Sequence, residues 1–200
     1  MGNNQIQEQR MKSYFIQAAM CIVREEGPAA VKVKRVADQA GYATGTLYNY
    51  FGDLNELLFY CVVEFFAECQ NTALAKSRDT NDPLERLVRI AEGYSEYFLY
   101  NPHIYHLAFL ADVRPPEHFA EGVLYQPEIV RIGADILQQC AQEGCVDPSA
   151  VETVLALLAN TIHGNLMFFL TGRAQTTDKN AVVYKIRSEL LWVIERAKID

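Results

Sequence analysis

Between Gln39 and Gly52 the chain carries two threonines, three tyrosines and an asparagine, spaced by glycines, and not one carboxylate. Hydroxyls and backbone N–H groups hold phosphate oxygens, and an asparagine amide can read adenine edges. This is chemistry for gripping a polyanion, and nothing in it breaks bonds. Elsewhere the chain shows no nucleophile paired with a base, no phosphate loop and no metal-ligand spacing. An enzyme is therefore not expected, and neither is a cofactor.

Such a face must be positioned by short helices. The segment Val33-Lys34-Arg35-Val36-Ala37-Asp38-Gln39-Ala40-Gly41-Tyr42-Ala43-Thr44-Gly45-Thr46-Leu47-Tyr48-Asn49-Tyr50-Phe51 has the form of a helix-turn-helix, two short helices joined by a turn containing glycine. Gly41 supplies the positive-φ residue that ends the first helix. Ala37 is small enough for a close crossing. Val33, Val36, Ala40, Leu47 and Phe51 form an apolar seam against a preceding helix. Thr44, Gly45, Thr46, Tyr48, Asn49 and Tyr50 are left facing outward, with Gly45 allowing close approach of the backbone to a duplex and the helix dipole favouring phosphate.

Helical periodicity dominates the rest of the chain. Helices are expected over about Gln5–Glu26, Lys32–Ala40, Thr44–Phe51, a long one capped by Asp53 with Glu56 at capping-box spacing, then Pro83–Tyr100, Pro102–Ala111, Gln126–Glu143, Pro148–Thr171 and Asp178–Lys198. Gly27-Pro28, Asn81-Asp82-Pro83, Asn101-Pro102 and Arg114-Pro115-Pro116 punctuate them. The expected fold is all-α with about nine helices. Residues 1–52 form the helix-turn-helix head, and residues 53–200 a larger helical domain.

Charge agrees with one DNA-facing end. The 200-residue chain has a net charge of −7. Residues 1–60 balance to zero, with a local Lys32, Lys34, Arg35 cluster, and all the excess acid falls in the remainder. Arg35 is equally well an ordinary solvated side chain. Five cysteines without a C-x-x-C pair point to free thiols in a reducing cytoplasm; Cys140 and Cys145, flanking Gly144, are either buried thiols or a redox pair. The N-terminus has no signal-peptide pattern. Thr153–Gly172 lacks charge over a membrane-spanning length, but Asn160, His163 and Asn165 at its centre favour a helix packed against other helices, and no membrane partner is expected.

Gly41-x-x-x-Gly45-Thr46-Leu47-Tyr48-x-Tyr50-Phe51, preceded by Val36-Ala37 and followed by an acidic-leucine helix start, resembles the tetracycline-repressor (TetR) family over roughly residues 10–60. The resemblance implies a homodimeric regulator whose second motif helix enters the major groove of a double-stranded operator and is released when a small molecule binds the larger domain. It places Lys34 on DNA, Thr44, Gly45 and Thr46 at the start of the recognition helix, Tyr48 and Tyr50 on phosphates, and Asn49 at a variable contact. Lys32 joins these as a further basic contact. Three positions depart from the pattern: Ala43 replaces a capping Ser, Lys32 a capping Thr, and Leu54 a phosphate-binding Lys. Each lost phosphate contact flattens the salt dependence by about 0.9.

The implied ligand cavity directs attention to the aromatic and imidazole cluster of Tyr94, Tyr97, Phe98, His103, His106 and Phe109, with Phe66, His163 and Met167 as further walls. Polar-tipped rings around an apolar space suit an aromatic or acyl effector; a packed bundle core is the competing reading. The last two helices, with Ile186, Leu190, Leu191, Val193 and Ile194 continuing an apolar stripe, are the expected homodimer interface. A helical interaction module, or a regulator controlled by a protein partner, is the alternative function.

Overall fold

Gly27 ends the first helix, taking φ 88° and donating its N–H to Val23 O at 2.9 Å. This is a conformation that glycine adopts without strain. In the computed structural model, which describes residues 3–117, 119 and 128–198, α1 runs Asn3–Glu26. Its buried face, Phe15, Ala18, Ala19, Ile22 and Val23, follows the helical repeat. Then come α2 (Val33–Ala40), α3 (Thr44–Leu47) and α4 (Leu54–Lys76). Asp53 caps α4, accepting from Glu56 N at 2.7 Å, and Glu56 returns a carboxylate oxygen to Gly52 N at 2.7 Å.

The remaining helices are α5 (Pro83–Tyr100), α6 (Pro102–Tyr105) continued by a π turn (His106–Leu110), α7 (Glu128–Gln142), α8 (Val151–Leu170) and α9 (Lys179–Arg196). Asp82 caps α5 through Glu85 N, and Asp178 caps α9 through Asn180 N. The described residues are all helix and loop, as expected of an all-α chain. Two helices are shorter than the sequence suggested. Residues 48–50 close with i→i+3 bonds, Asn49 N to Thr46 O and Tyr50 N to Leu47 O, so the recognition helix tightens instead of continuing to Phe51. The α6 segment ends as α-helix at Tyr105 and widens into the π turn. The expected start of α7 at Gln126 lies outside the described residues.

The chain forms two compact units: Met1–Ala67 with Asn101–Leu124, and Glu68–Tyr100 with Tyr125–Asp200. In the first, α1 packs on α2 and α6, and α2 on α3. In the second, α5 packs against α7, α8 and α9, and α8 against both α7 and α9. The last part of α4 lies on α5 so closely that a Cβ at Gly93 would come within 2.7 Å of Ala73 Cα. Arg187 of α9 bridges Glu85 (2.8 Å) and Glu92 (3.1 Å) of α5, and Asn165 of α8 donates to Glu189 of α9 at 2.7 Å.

Candidate nucleic-acid interface and candidate cavity

The turn of the motif is built by Gly41, at φ 80°, ψ 27°, whose N–H reaches Ala37 O and Asp38 O while Tyr42 N bonds Ala37 O at 2.9 Å. This left-handed cap stops α2 and swings the chain into α3. Val36, Ala37, Leu47 and Phe51 are buried in the seam, and Val33 and Ala40 are half-buried. Phe15 of α1 meets Tyr42, Tyr50 and Phe51 at ring-centroid distances of 5.5, 6.1 and 6.4 Å. The outer face is thus held by a rigid aromatic base.

Lys32, Lys34, Thr44, Gly45, Tyr48 and Asn49 are exposed, and Thr46 and Tyr50 are half-buried. Tyr48 is 54% exposed, a large ring left in water beside a filled seam. Tyr50 divides its role, with its ring edge in the Phe15 cluster. A Cβ at Gly45 would meet nothing within 4 Å, so the first turn of α3 is open to solvent. Neither Lys32 nor Ala43 caps its helix with a side chain. Arg35 is spoken for: its guanidinium forks onto the Glu26 carboxylate, which holds Glu26 below the ordinary carboxylate range. Lys34, by contrast, projects into solvent from the first turn of α2.

The nine residues expected around an effector are distributed over both units. In the first, His103 Nδ1 lies 3.2 Å from Arg24 O, His106 is exposed, and Phe66 stacks edge-on with Phe109 at 5.8 Å. In the second, Tyr97 donates to Glu68 at 2.9 Å, Phe98 packs in the core between Tyr94 and Tyr97, and Met167 is 48% exposed on α8. Tyr94 and His163 converge, with Tyr94 Oη 3.2 Å from His163 Nε2 and the rings edge to face.

That pair lines a cavity of about 110 Å³ between α5, α7 and α8. Its other described walls are apolar, among them Leu87, Ile90, Ile129 and Ile162. Burial pushes the His163 imidazole below its ordinary pKa, so it is neutral at pH 7. The apolar walls carry no distinguishing sequence signal, because their spacing is that of any core stripe. Gly133, placed mid-helix where α7 faces the space, was the available signal.

Residues 15–61 match the family of bacterial regulatory proteins, tetR family. Over these residues the head is similar to that family. Over 85 residues the chain is 33% identical to the HTH-type transcriptional regulator BetI of Yersinia pestis (strain Pestoides F). That stretch covers 41% of this chain and 42% of BetI, so the chain matches less than half the length of this relative. The fold is that of a TetR family transcription regulator from Marinobacter aquaeolei VT8, with a TM-score of 0.64, 19% identity, and 98% and 100% of the two chains covered. It is also that of RolR in complex with resorcinol, with a TM-score of 0.66, 15% identity, and 97% of each chain covered.

The cysteines are free: Cys61, Cys69 and Cys140 are buried, whereas Cys21 and Cys145 are exposed. Burial raises the thiols of Cys61 and Cys69 far above their usual range, which makes them inert. The apolar stretch Pro148–Leu170 holds an 18-residue window of mean hydropathy 1.5, of which only 17% is buried within the chain. The polar residues at its centre predict a helix packed among other helices. One face does so through Val154, Leu158, Ile162 and Leu166, but Leu157, Met167 and Phe168 point outward.

Proposed function

We propose that the protein is a DNA-binding transcriptional regulator of the repressor type, acting as a homodimer on a near-palindromic operator and released by a small apolar or aromatic molecule. The observation that carries this reading is the exposed, carboxylate-free face of Thr44, Gly45, Thr46, Tyr48 and Asn49, held on a buried seam with Lys34 alongside. Gly45 gives the backbone room against the duplex, the hydroxyls and Lys34 take phosphates, and Asn49 is placed to read a base edge. Lys32 and Tyr50 extend the phosphate contacts on either side.

Dimerisation through α8 and α9 is supported by what those helices leave uncovered. Leu157, Met167 and Phe168 on α8 and Tyr184, Leu191 and Trp192 on α9 are all large and exposed. A second copy, contributing the same pair, would make a four-helix interface. Twofold symmetry then sets the two recognition helices about 34–36 Å apart, one turn of DNA. The capture of resorcinol by RolR, which shares the fold, supports a small aromatic effector. A regulator working on DNA in this way would act in the cytoplasm.

The test is a fluorescence-anisotropy titration against the upstream intergenic DNA and a scrambled duplex at two salt concentrations. Sequence-dependent binding is expected. Tyr48→Ala and Lys34→Ala weaken it, and Lys34→Ala lowers the log–log salt slope by about 0.9. Equal, weak binding to both duplexes, unaltered by either substitution, would overturn the reading in favour of a helical interaction module.

A further inference from the structure

We propose that Cys140 and Cys145 form a reversible oxidation site, a thiol pair that a peroxide converts to an intrachain disulfide and that small thiols restore. The chemistry is independent of the regulator reading.

The way α7 ends brings the two residues together. Gly144 takes φ 76° and terminates the helix. Cys145 N donates to Cys140 O at 2.8 Å, and Gly144 N donates to Ala141 O at 3.2 Å. Two such nested bonds around a left-handed glycine make a Schellman motif, in which the side chain three residues before the cap meets the one two residues after it. With Glu143 as the cap, Cys140 and Cys145 hold those two positions. Covalent bond lengths set a ceiling on their separation: across the 2.8 Å hydrogen bond the two Cα atoms lie no more than about 6.7 Å apart. A disulfide spans roughly 4.4–6.8 Å between Cα atoms, so the backbone already has the spacing of a bridge. Burial, and after it the nearness of Cys145, push the Cys140 thiol above its ordinary range. The chain beyond the pair is fixed as well, because Val146 is buried and Asp147 N donates to Ala197 O at 2.8 Å.

Exposure assigns the roles. Cys145 is exposed and Cys140 is buried, so the sulfur that meets a soluble oxidant is that of Cys145, attacking as the thiolate. It takes one peroxide oxygen, the O–O bond breaks and hydroxide leaves, which gives a sulfenic acid on Cys145. The Cys140 sulfur then attacks the Cys145 sulfur, giving up its proton as the S–O bond breaks and water departs. Both cysteines are oxidised, and one peroxide is reduced to two waters once the hydroxide is protonated. Two small thiols reverse the bridge by exchange and leave as their own disulfide. In a reducing compartment such a bridge is transient.

The experiment treats the full, reduced chain with a few equivalents of hydrogen peroxide at pH 7.5, blocks the remaining thiols, and digests with trypsin and a glutamate-specific protease. Glu143 lies between the two cysteines, so cleavage there leaves the fragments joined only where the bridge has formed. Joined fragments lighter by two hydrogens are expected, and dithiothreitol should separate them. Cys21, equally exposed but within the continuous α1, should be oxidised more slowly. Cys140→Ser should stop at a sulfenic acid on Cys145, captured by dimedone, and Cys145→Ser should leave Cys140 reduced. The wild-type digest decides the bridge by itself, so a variant that fails to fold removes nothing from the test. Cys145 carried on to sulfinic acid beside a reduced Cys140 would overturn the proposal. So would linkage to Cys21 or between chains, oxidation of Cys21 ahead of Cys145, a bridge that resists dithiothreitol, or oxidation of Cys140 in a folded Cys145→Ser variant.

Discussion

His163 shows how one buried group can set a pH dependence. Its folded pKa lies below the ordinary 6.5 because burial penalises the imidazolium. As pH falls through about 6.5 the unfolded chain takes up a proton that the folded chain refuses, so stability is full above that value and declines below it, until the folded imidazole also titrates. The melting temperature should therefore drop between pH 7.5 and 5.5, and His163→Gln should shrink that drop. An unchanged drop in the variant would mean that other groups carry it. At Gly93 the constraint is steric. Alanine improves helix propensity by about 1 kcal/mol, yet its Cβ would lie 2.7 Å from Ala73 Cα, and overpacking costs about 1–3 kcal/mol. A net fall in the denaturation midpoint of Gly93→Ala is the expected result.

Among the elements, α5 and α9 are joined by a charged latch. Arg187 and Arg89 both donate to Glu85, and these bonds, Arg187's foremost, hold the Glu85 carboxyl below its ordinary 4.5. A depressed carboxyl contributes stability above the unfolded value, and that contribution is lost as pH falls through the lower folded value. Urea midpoints at pH 7 and pH 3 test this. Glu85→Gln should lower the first and move the second little, giving a shallower acid limb. Equal losses at both pH values would place the effect in packing instead of charge. In the head, the same logic of pairing removes Arg35 from the binding face. Its fork onto Glu26 ties α2 to the end of α1, whereas Lys34 stays exposed in the first turn of α2.

For the whole molecule, the decisive property is what α8 and α9 leave in water. Trp192 is 61% exposed and Phe168 58% exposed, on helices whose opposite faces are already buried. Sedimentation equilibrium should give twice the 22.6 kDa chain mass for the wild type. Under the proposed dimeric reading, Trp192→Glu or Phe168→Asp should give the single mass and a large loss of DNA affinity, because each head alone would contact only half a site. A charged variant that remains dimeric would move the interface elsewhere.

Much of this was legible along the chain because the signals act over three or four residues. Gly27-Pro28, Gly41, the Asp53/Glu56 box and Asn81-Asp82-Pro83 end or start helices through bonds made within a single turn, and the structure has helix boundaries at all of them. The alternation of Val36, Leu47 and Phe51 with hydroxyl and amide residues separated seam from outer face for the same reason. The cavity could not be read this way. Leu87, Ile90 and Tyr94 repeat as any core stripe does, and their distinction from Phe98, one turn further on, depends on where α7 and α8 fail to fill space. Tyr94 meets His163 across 69 residues of chain, while His103, equally aromatic in its surroundings, is drawn to the backbone at Arg24. Local chemistry dictates where helices begin and end and which face is apolar; the choice of neighbour for each apolar face is made by shape and loop closure, which no short run of residues encodes.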